Sequence, residues 1–245
     1  MENMKIRYFQ RGFNYSQDGP GNRLVYHLQG CNMHCPWCSN PEGMDMFSNS
    51  KEIESEKLVK EVLSCKPMMF EGGGVTFTGG EATLQIKQLV PVFKKLRENG
   101  VTIAIETNGT VCDLSKYAEL CDYWMIDFKS PLKEKLEKVT GVSYDILKQN
   151  ILNLGNRLQV HIRIPFIHGF NDDDLSLQEF LAFFAKLKED NKRFDVEILP
   201  YHEYGKEKWI KCGKKYRVVD GFVPEKRIKL FVDLLEKNGI EIIHT

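Results

Sequence analysis

No stretch of this chain approaches the roughly 18 consecutive apolar residues that a bilayer-spanning helix needs, and the polar opening MENMKIRYFQ holds no hydrophobic signal core. A cytoplasmic protein that makes no use of a membrane is therefore expected. Neither sign of charge prevails, since 34 Lys and Arg stand against 34 Asp and Glu. No summed field draws the chain to nucleic acid or anionic lipid. Internal repeats and low-complexity linkers are missing as well, so a single domain spanning 1–245 with one large core is expected. Seven cysteines is an odd count, and three of them crowd into eight residues, poor geometry for a disulfide framework, while the other four (Cys65, Cys112, Cys121 and Cys212) stand singly and read as inert packed thiols. The crowded three lie in CNMHCPWC, with no second CxxC-type pair elsewhere to complete a structural zinc site.

What the sequence does contain is an alternation. Apolar runs of strand length, LVYHLQ (24–29), VTFT (75–78), VTIAIE (101–106), YWMIDF (123–128), VHIRIPFI (160–167) and VEILPY (196–201), are separated by segments of helical period at 58–63, 84–97, 114–120, 144–154, 175–187 and 225–235. Asn99-Gly100 and Asn238-Gly239 read as helix stops and Pro224 as a helix start. Strand-helix alternation implies parallel α/β architecture, and six units suit a partial (β/α)6 TIM-like barrel better than an eight-stranded one. Every chemically distinctive cluster falls at the C-terminal end of an expected strand: GCNMHCPWCSN, TGGE, ETNG, DFK, the stretch His168 to Asp172, and PYH. In a parallel barrel those ends share one face, where active sites are built. The acids Asp172 to Asp174 are read apart from that site, as a cap on the following helix.

Cys31, Cys35 and Cys38 follow C-x3-C-x2-C, so one short loop supplies three thiolates. A 4Fe-4S cluster held by three cysteines leaves one iron without a protein ligand, where an electron-transfer cluster has four. The motif, with Trp37 before its last cysteine, resembles that of the radical S-adenosylmethionine (SAM) superfamily. The resemblance implies that the open iron takes the amino and carboxylate groups of SAM. It further implies that an electron from the cluster cleaves SAM to methionine and a 5′-deoxyadenosyl radical. Gly79, Gly80 and Glu81 resemble the family's GGE motif, which contacts the SAM amino group.

The likeness extends through DGPG (18–21), QGC-x3-C-x2-C-x-N (29–40), GGGVT-x2-GGEA (72–82), TNG (107–109), MIDFK (125–129) and LPYHEYGKEKW (199–209). In order and spacing these resemble the glycyl radical enzyme activases of the pyruvate formate-lyase activating type. Such activases remove a hydrogen atom from a glycine of a partner enzyme and leave a stored radical. By this resemblance Trp37, Cys38 and Ser39 contact the adenosyl moiety, Asp127, Phe128 and Lys129 hold the ribose and carboxylate side, and His202 lies near the ribose or adenine. Glu106, Thr107, Asp127 and the Met125 carbonyl are expected as a monovalent-cation site for Na+ or K+. Asp18 and Arg163 face the partner's glycine loop. The expected partners are a glycyl radical enzyme and, as electron donor, a flavodoxin or ferredoxin, with the activase itself a monomer. Many relatives insert a cysteine-rich segment between the cluster loop and GGE; here 39–79 holds Cys65 alone. Two features depart from the family: Glu106 stands where it has Asp, and Ser39 where its best-known member has His. The competing readings are a radical SAM enzyme acting on a small molecule or free peptide, and a non-catalytic iron-sulfur or zinc protein.

Overall fold

The computed structural model describes residues 4–48 and 50–243. Its centre is one eight-stranded sheet. Six strands match the expected runs: β2 (Asn22–Leu28), β4 (Gly74–Gly79), β5 (Thr102–Thr107), β6 (Tyr123–Asp127), β7 (Val160–Phe166) and β8 (Phe194–Pro200). They lie side by side in that order, each parallel to the next. Two further strands extend the β2 edge: β1 (Lys5–Tyr15), antiparallel to β2, and β3 (Lys51–Glu54), antiparallel to β1. The order β3-β1-β2-β4-β5-β6-β7-β8 leaves the sheet open, the partial barrel expected with an antiparallel flap added.

The helices are α1 (Ser55–Ser64), α2 (Ile86–Glu98), α3 (Lys133–Thr140), α4 (Tyr144–Gly155), α5 (Asp174–Glu189), α6 (Lys206–Lys211) and α7 (Glu225–Lys237). The expected helix at 114–120 is a 3-10 segment instead. Among the described residues no helix is long and apolar enough to cross a membrane. The stops fall where Asn and Gly were placed: Asn99 and Asn238 close α2 and α7, and Gly100 and Gly239 follow at φ 66° and 63°. On α2, Leu89, Val92, Phe93 and Leu96 fall on one stripe and are fully buried. Such burial contributes about 1.5–3 kcal/mol per side chain.

Strand alternation sorts the two faces of the sheet. Trp124, Ile126 and Phe128 face the helices, where Phe128 packs on Phe180, Phe183 and Phe184 of α5. The concave face is polar. Buried Arg23 donates to Thr76 Oγ1 at 2.7 Å and Val75 O at 2.8 Å, and its guanidinium lies 5.6 Å from the Tyr123 ring centroid. His161 Nδ1 meets Asp195 at 2.8 Å, and one layer up Arg163 Nε meets Glu197 at 2.6 Å. Alternation with a polar inward face leaves room at the strand ends for a polar ligand.

Asp173 is the N-cap of α5, accepting from Ser176 N at 3.1 Å and Ser176 Oγ at 2.8 Å, while Asp172 instead pairs with His168 at 2.7 Å. Partial burial works against the Asp173 charge, but the hydrogen bonds from Lys135 and Ser176 outweigh it and hold its pKa at about 2. An acid depressed on folding stabilises the fold above its unfolded pKa of about 4 and loses that contribution as pH falls toward about 2. Asp173→Ala is expected to cost about 1 kcal/mol at neutral pH. In urea titrations the difference from the parent should shrink below pH 4; a pH-independent difference would contradict the cap.

Candidate functional site

The loop after β2 is pinned before its cysteines begin. Gly30 N donates to Gly43 O at 2.8 Å, Cys31 N to Met44 O at 3.1 Å, and fully buried Gln29 donates to Glu42 O at 2.8 Å. The Gly79-Gly80 pair, after β4, packs against this loop. Gly79 has φ 110°, and a Cβ on Gly80 would stand 2.2 Å from Gly30 O and 2.6 Å from Gly43 O. Only glycine permits that approach.

The strand ends and this loop enclose a cavity of about 240 Å³. Cys31, Cys35, Trp37, Cys38, Ser39, Gly79, Gly80, Glu106, Thr107, Asp127, Lys129, Arg163 and His202 line it, so most of the expected site residues are brought together. Sequence reasoning missed Met33, Asn40, Thr78, Asn108, Ile167, Leu199 and Tyr201 on the same wall. Thr78 and Asn108 lie inside motifs already singled out, so their position at strand ends was the available signal.

The three thiols are free. Burial pushes Cys31 and Cys35 up to about 12 and raises Cys38 as well, while backbone N–H groups of Met33 and Asn40, each 3.3 Å from Cys31 and Cys38 sulfur, pull the other way. Loading iron here therefore displaces protons. Three thiols on one cavity wall, two of them receiving N–H donors, with no fourth Cys lining the cavity, fit a cluster with one open iron. Opposite them Lys129 is buried and charged. Burial opposes its charge, but Asp127, 2.5 Å from Nζ, and the nearby thiols raise its pKa overall. A fixed ammonium on the cavity wall suits the carboxylate of an amino-acid moiety.

Four of the expected residues or groups lie off the cavity wall or are engaged by protein partners. The Phe128 side chain lies in the core, because strand alternation turns it away from Asp127 and Lys129; only its backbone lies near the site. Glu81 is behind the wall rather than on it. Its carboxylate, 1% exposed, accepts from Thr83 N at 2.9 Å, Thr83 Oγ1 at 2.5 Å, Thr107 Oγ1 at 2.6 Å and Asn108 N at 2.6 Å. It clamps the TNG turn to the GGE turn, and burial nevertheless raises its pKa. Asp18 is outside the cavity wall too, bonded by Asn14 Nδ2 at 2.5 Å.

The cation site does not form an open oxygen cage. Glu106 is engaged by Arg163 and the Thr78 hydroxyl, the Thr107 hydroxyl donates to Glu81, and Asp127 pairs with Lys129. Met125, across the ladder from Glu106, is buried. Among the described residues no three His, Cys, Asp or Glu side chains gather as ligands of a single metal ion. In this arrangement the side-chain oxygens of the expected cation site are bonded to protein donors or to Lys129.

Residues 25–181 match the family model described as the radical SAM superfamily. The chain belongs to the radical SAM superfamily. Its members use a 4Fe-4S cluster and SAM, the pair for which the cysteine loop and cavity are suited. Among similar radical SAM proteins is the pyruvate formate-lyase 1-activating enzyme of Escherichia coli K12, 33% identical over 92% of this chain and 93% of its own length. The 4-hydroxyphenylacetate decarboxylase activating enzyme of Clostridioides difficile CD196 is 30% identical over 91% of this chain and 90% of its own. In fold, a radical SAM methyltransferase from Sphaerobacter thermophilus superposes with a TM-score of 0.66 at 14% identity, over 99% of this chain and 72% of that one.

Proposed function

We propose that this protein is a glycyl radical enzyme activase. The observation that carries the reading is the near full-length likeness to two activating enzymes, on a cavity that gathers the three thiols with Lys129, Asp127 and His202. When bound, the cluster supplies the electron that cleaves SAM to methionine and the 5′-deoxyadenosyl radical, which takes a hydrogen atom from a glycine of the partner. The chain's residues do the rest. Lys129, fixed by Asp127, fixes the SAM carboxylate electrostatically. Gly79 and Gly80 admit the ligand against bare backbone. Trp37, packed 4.6 Å from Phe170, closes one side against water, as Tyr201 and His202 do the other. Asp18 and Arg163 face the partner's glycine loop. We further assign a flavodoxin or ferredoxin as electron donor, a monomeric state and a cytoplasmic setting.

Anaerobically reconstituted protein is expected to bind about four irons and four sulfides. With dithionite it should yield methionine and 5′-deoxyadenosine, and it should raise a glycyl-radical doublet in the electron paramagnetic resonance spectrum of a partner from the same cell. Coupling of 5′-deoxyadenosine formation to a small metabolite, with no glycyl signal on any such partner, would replace the activase by an enzyme of small-molecule substrates.

A further inference from the structure

A cluster held by Cys31, Cys35 and Cys38 would need an electron from outside, and one element covers the cluster loop on its flank. Helix α6 and the segment after it lie against that loop. Gly205 is so close to Cys38 that a Cβ would stand 2.4 Å from the Cys38 carbonyl oxygen. Trp209 Nε1 donates to the same oxygen at 2.9 Å, Lys208 reaches Asn40 Oδ1 at 3.1 Å and Glu42 at 3.2 Å, and Lys214 donates to Pro41 O at 3.3 Å. Trp209 is buried against the cluster loop, so the indole stands between a cluster ligand's backbone and the outer surface.

That outer surface has a composition unlike the rest of the chain. From Lys206 to Arg217 there are six cations and one anion, Glu207, in a protein whose net charge is zero. Lys211, Lys215 and Arg217 are exposed and have no ion pair among the described residues. Large apolar side chains in and next to this segment are exposed as well: Ile210 is 70% exposed and Val219 96%. A run of lysines alone is a solvated face. An unpaired cationic run with exposed large hydrophobics beside it can steer and hold an oppositely charged protein, and the helix that carries it packs on the loop of Cys38.

We propose that the surface of Lys211, Lys215 and Arg217, with Ile210 and Val219, is the docking site of the electron donor, a small acidic one-electron carrier protein holding a flavin or an iron-sulfur centre. The inference rests on the radical SAM activase reading. In the step served, the donor's reduced centre loses one electron and the oxidised cluster gains it; no proton or group is transferred. The carrier's carboxylates meet the three free cations, which steers encounter, and the apolar residues give the short-lived complex its contact. Charge complementarity of this type accelerates association by about 10–10³-fold and weakens as salt shortens the Debye length.

The test is the triple charge reversal K211E/K215E/R217E, reconstituted and assayed beside the parent with two reductants, dithionite and purified reduced flavodoxin. Iron content and circular dichroism serve as controls for folding. Flavodoxin-driven SAM cleavage at low salt is expected to fall by about tenfold or more, whereas dithionite-driven cleavage and dithionite-driven glycyl radical yield stay at the parent's level. Flavodoxin-driven cleavage by the parent should also decline as salt is raised. Equal flavodoxin-driven rates in parent and variant would overturn the docking site. So would a loss confined to glycyl radical yield, which would hand this surface to the glycyl radical enzyme. A parent that fails to cleave SAM even with dithionite would instead overturn the radical SAM reading itself, and the docking site with it.

Discussion

Replacing any one of Cys31, Cys35 or Cys38 with Ala is expected to reduce SAM cleavage to that of an enzyme-free control, with cluster iron lost in parallel. The reason is the absence of any substitute. No other cysteine lines the cavity, Cys121 is buried in the hydrophobic core, and Cys212 is exposed beyond α6. A cluster left with two thiolates exposes two irons instead of one, so it is both weakly held and wrongly placed for the chelating end of SAM. The contrasting variant changes Cys65, Cys112, Cys121 and Cys212 together to Ser or Ala. It should keep its iron, although filling the core position of Cys121 differently will lower stability by about 1 kcal/mol. Iron and 5′-deoxyadenosine are assayed side by side in all variants. Full cleavage by the three single alanine variants would remove the central claim, and iron loss from a folded quadruple variant would point to a second metal centre.

The six parallel strands were legible because each is buried on at least one face and reads as an apolar run; the expected bounds differ from those observed by a residue or two. β1 and β3 were not legible. In KIRYFQRGFNY only Ile6 and Tyr8 alternate as buried positions with Lys5 and Arg7, over the stretch flanked by β3 and β2, and Gln10, Arg11 and Gly12 beyond it are exposed; KEIE is four residues with three charges, so the alternation in each is too short to stand out. α3 and α6 escaped for the same reason, being short and mostly charged. The cysteine loop, the glycine pair and the DFK lysine were readable at the site because their residue types are chemically conspicuous. What remained hidden was pairing. VHIRIPFI and DVEIL alternate charged with apolar residues, which places Arg163 and Glu197 on the inward face. Nothing in the sequence says that Arg163 also reaches Glu106, two strands away, because that contact depends on barrel curvature. Glu81 illustrates the converse. Its place in a motif suggested a ligand contact, and its geometry makes it a buried clamp between two turns.

Arg163 is the residue on which recognition of the partner is expected to depend most. Its guanidinium meets Glu106 with one nitrogen, Glu197 at 2.6 Å with a second, and Gln17 O at 2.5 Å with the third. Gln17 precedes the DGPG turn, whose Asp18 carbonyl accepts from Thr76 Oγ1 at 2.7 Å. One planar fork thus ties the cavity wall to the turn proposed to meet the glycine loop. Lysine cannot reproduce it, since a single ammonium does not hold three acceptors set at fixed angles. Arg163→Lys should therefore keep the buried carboxylates partly neutralised but release the turn. A misplacement of about 1 Å at a reacting group can cost about 10²-fold, so glycyl radical yield should fall by about that factor, well beyond any fall in partner-free SAM cleavage. Arg163→Ala should add a stability loss of about 3–5 kcal/mol, because it removes the buried cation that bridges half-buried Glu106 and buried Glu197. Chemical denaturation of both variants separates the two effects, and electron paramagnetic resonance of the partner measures the first. If Arg163→Lys activates its partner as the parent does, the guanidinium is a structural strut alone and the glycine loop is recognised elsewhere on the rim.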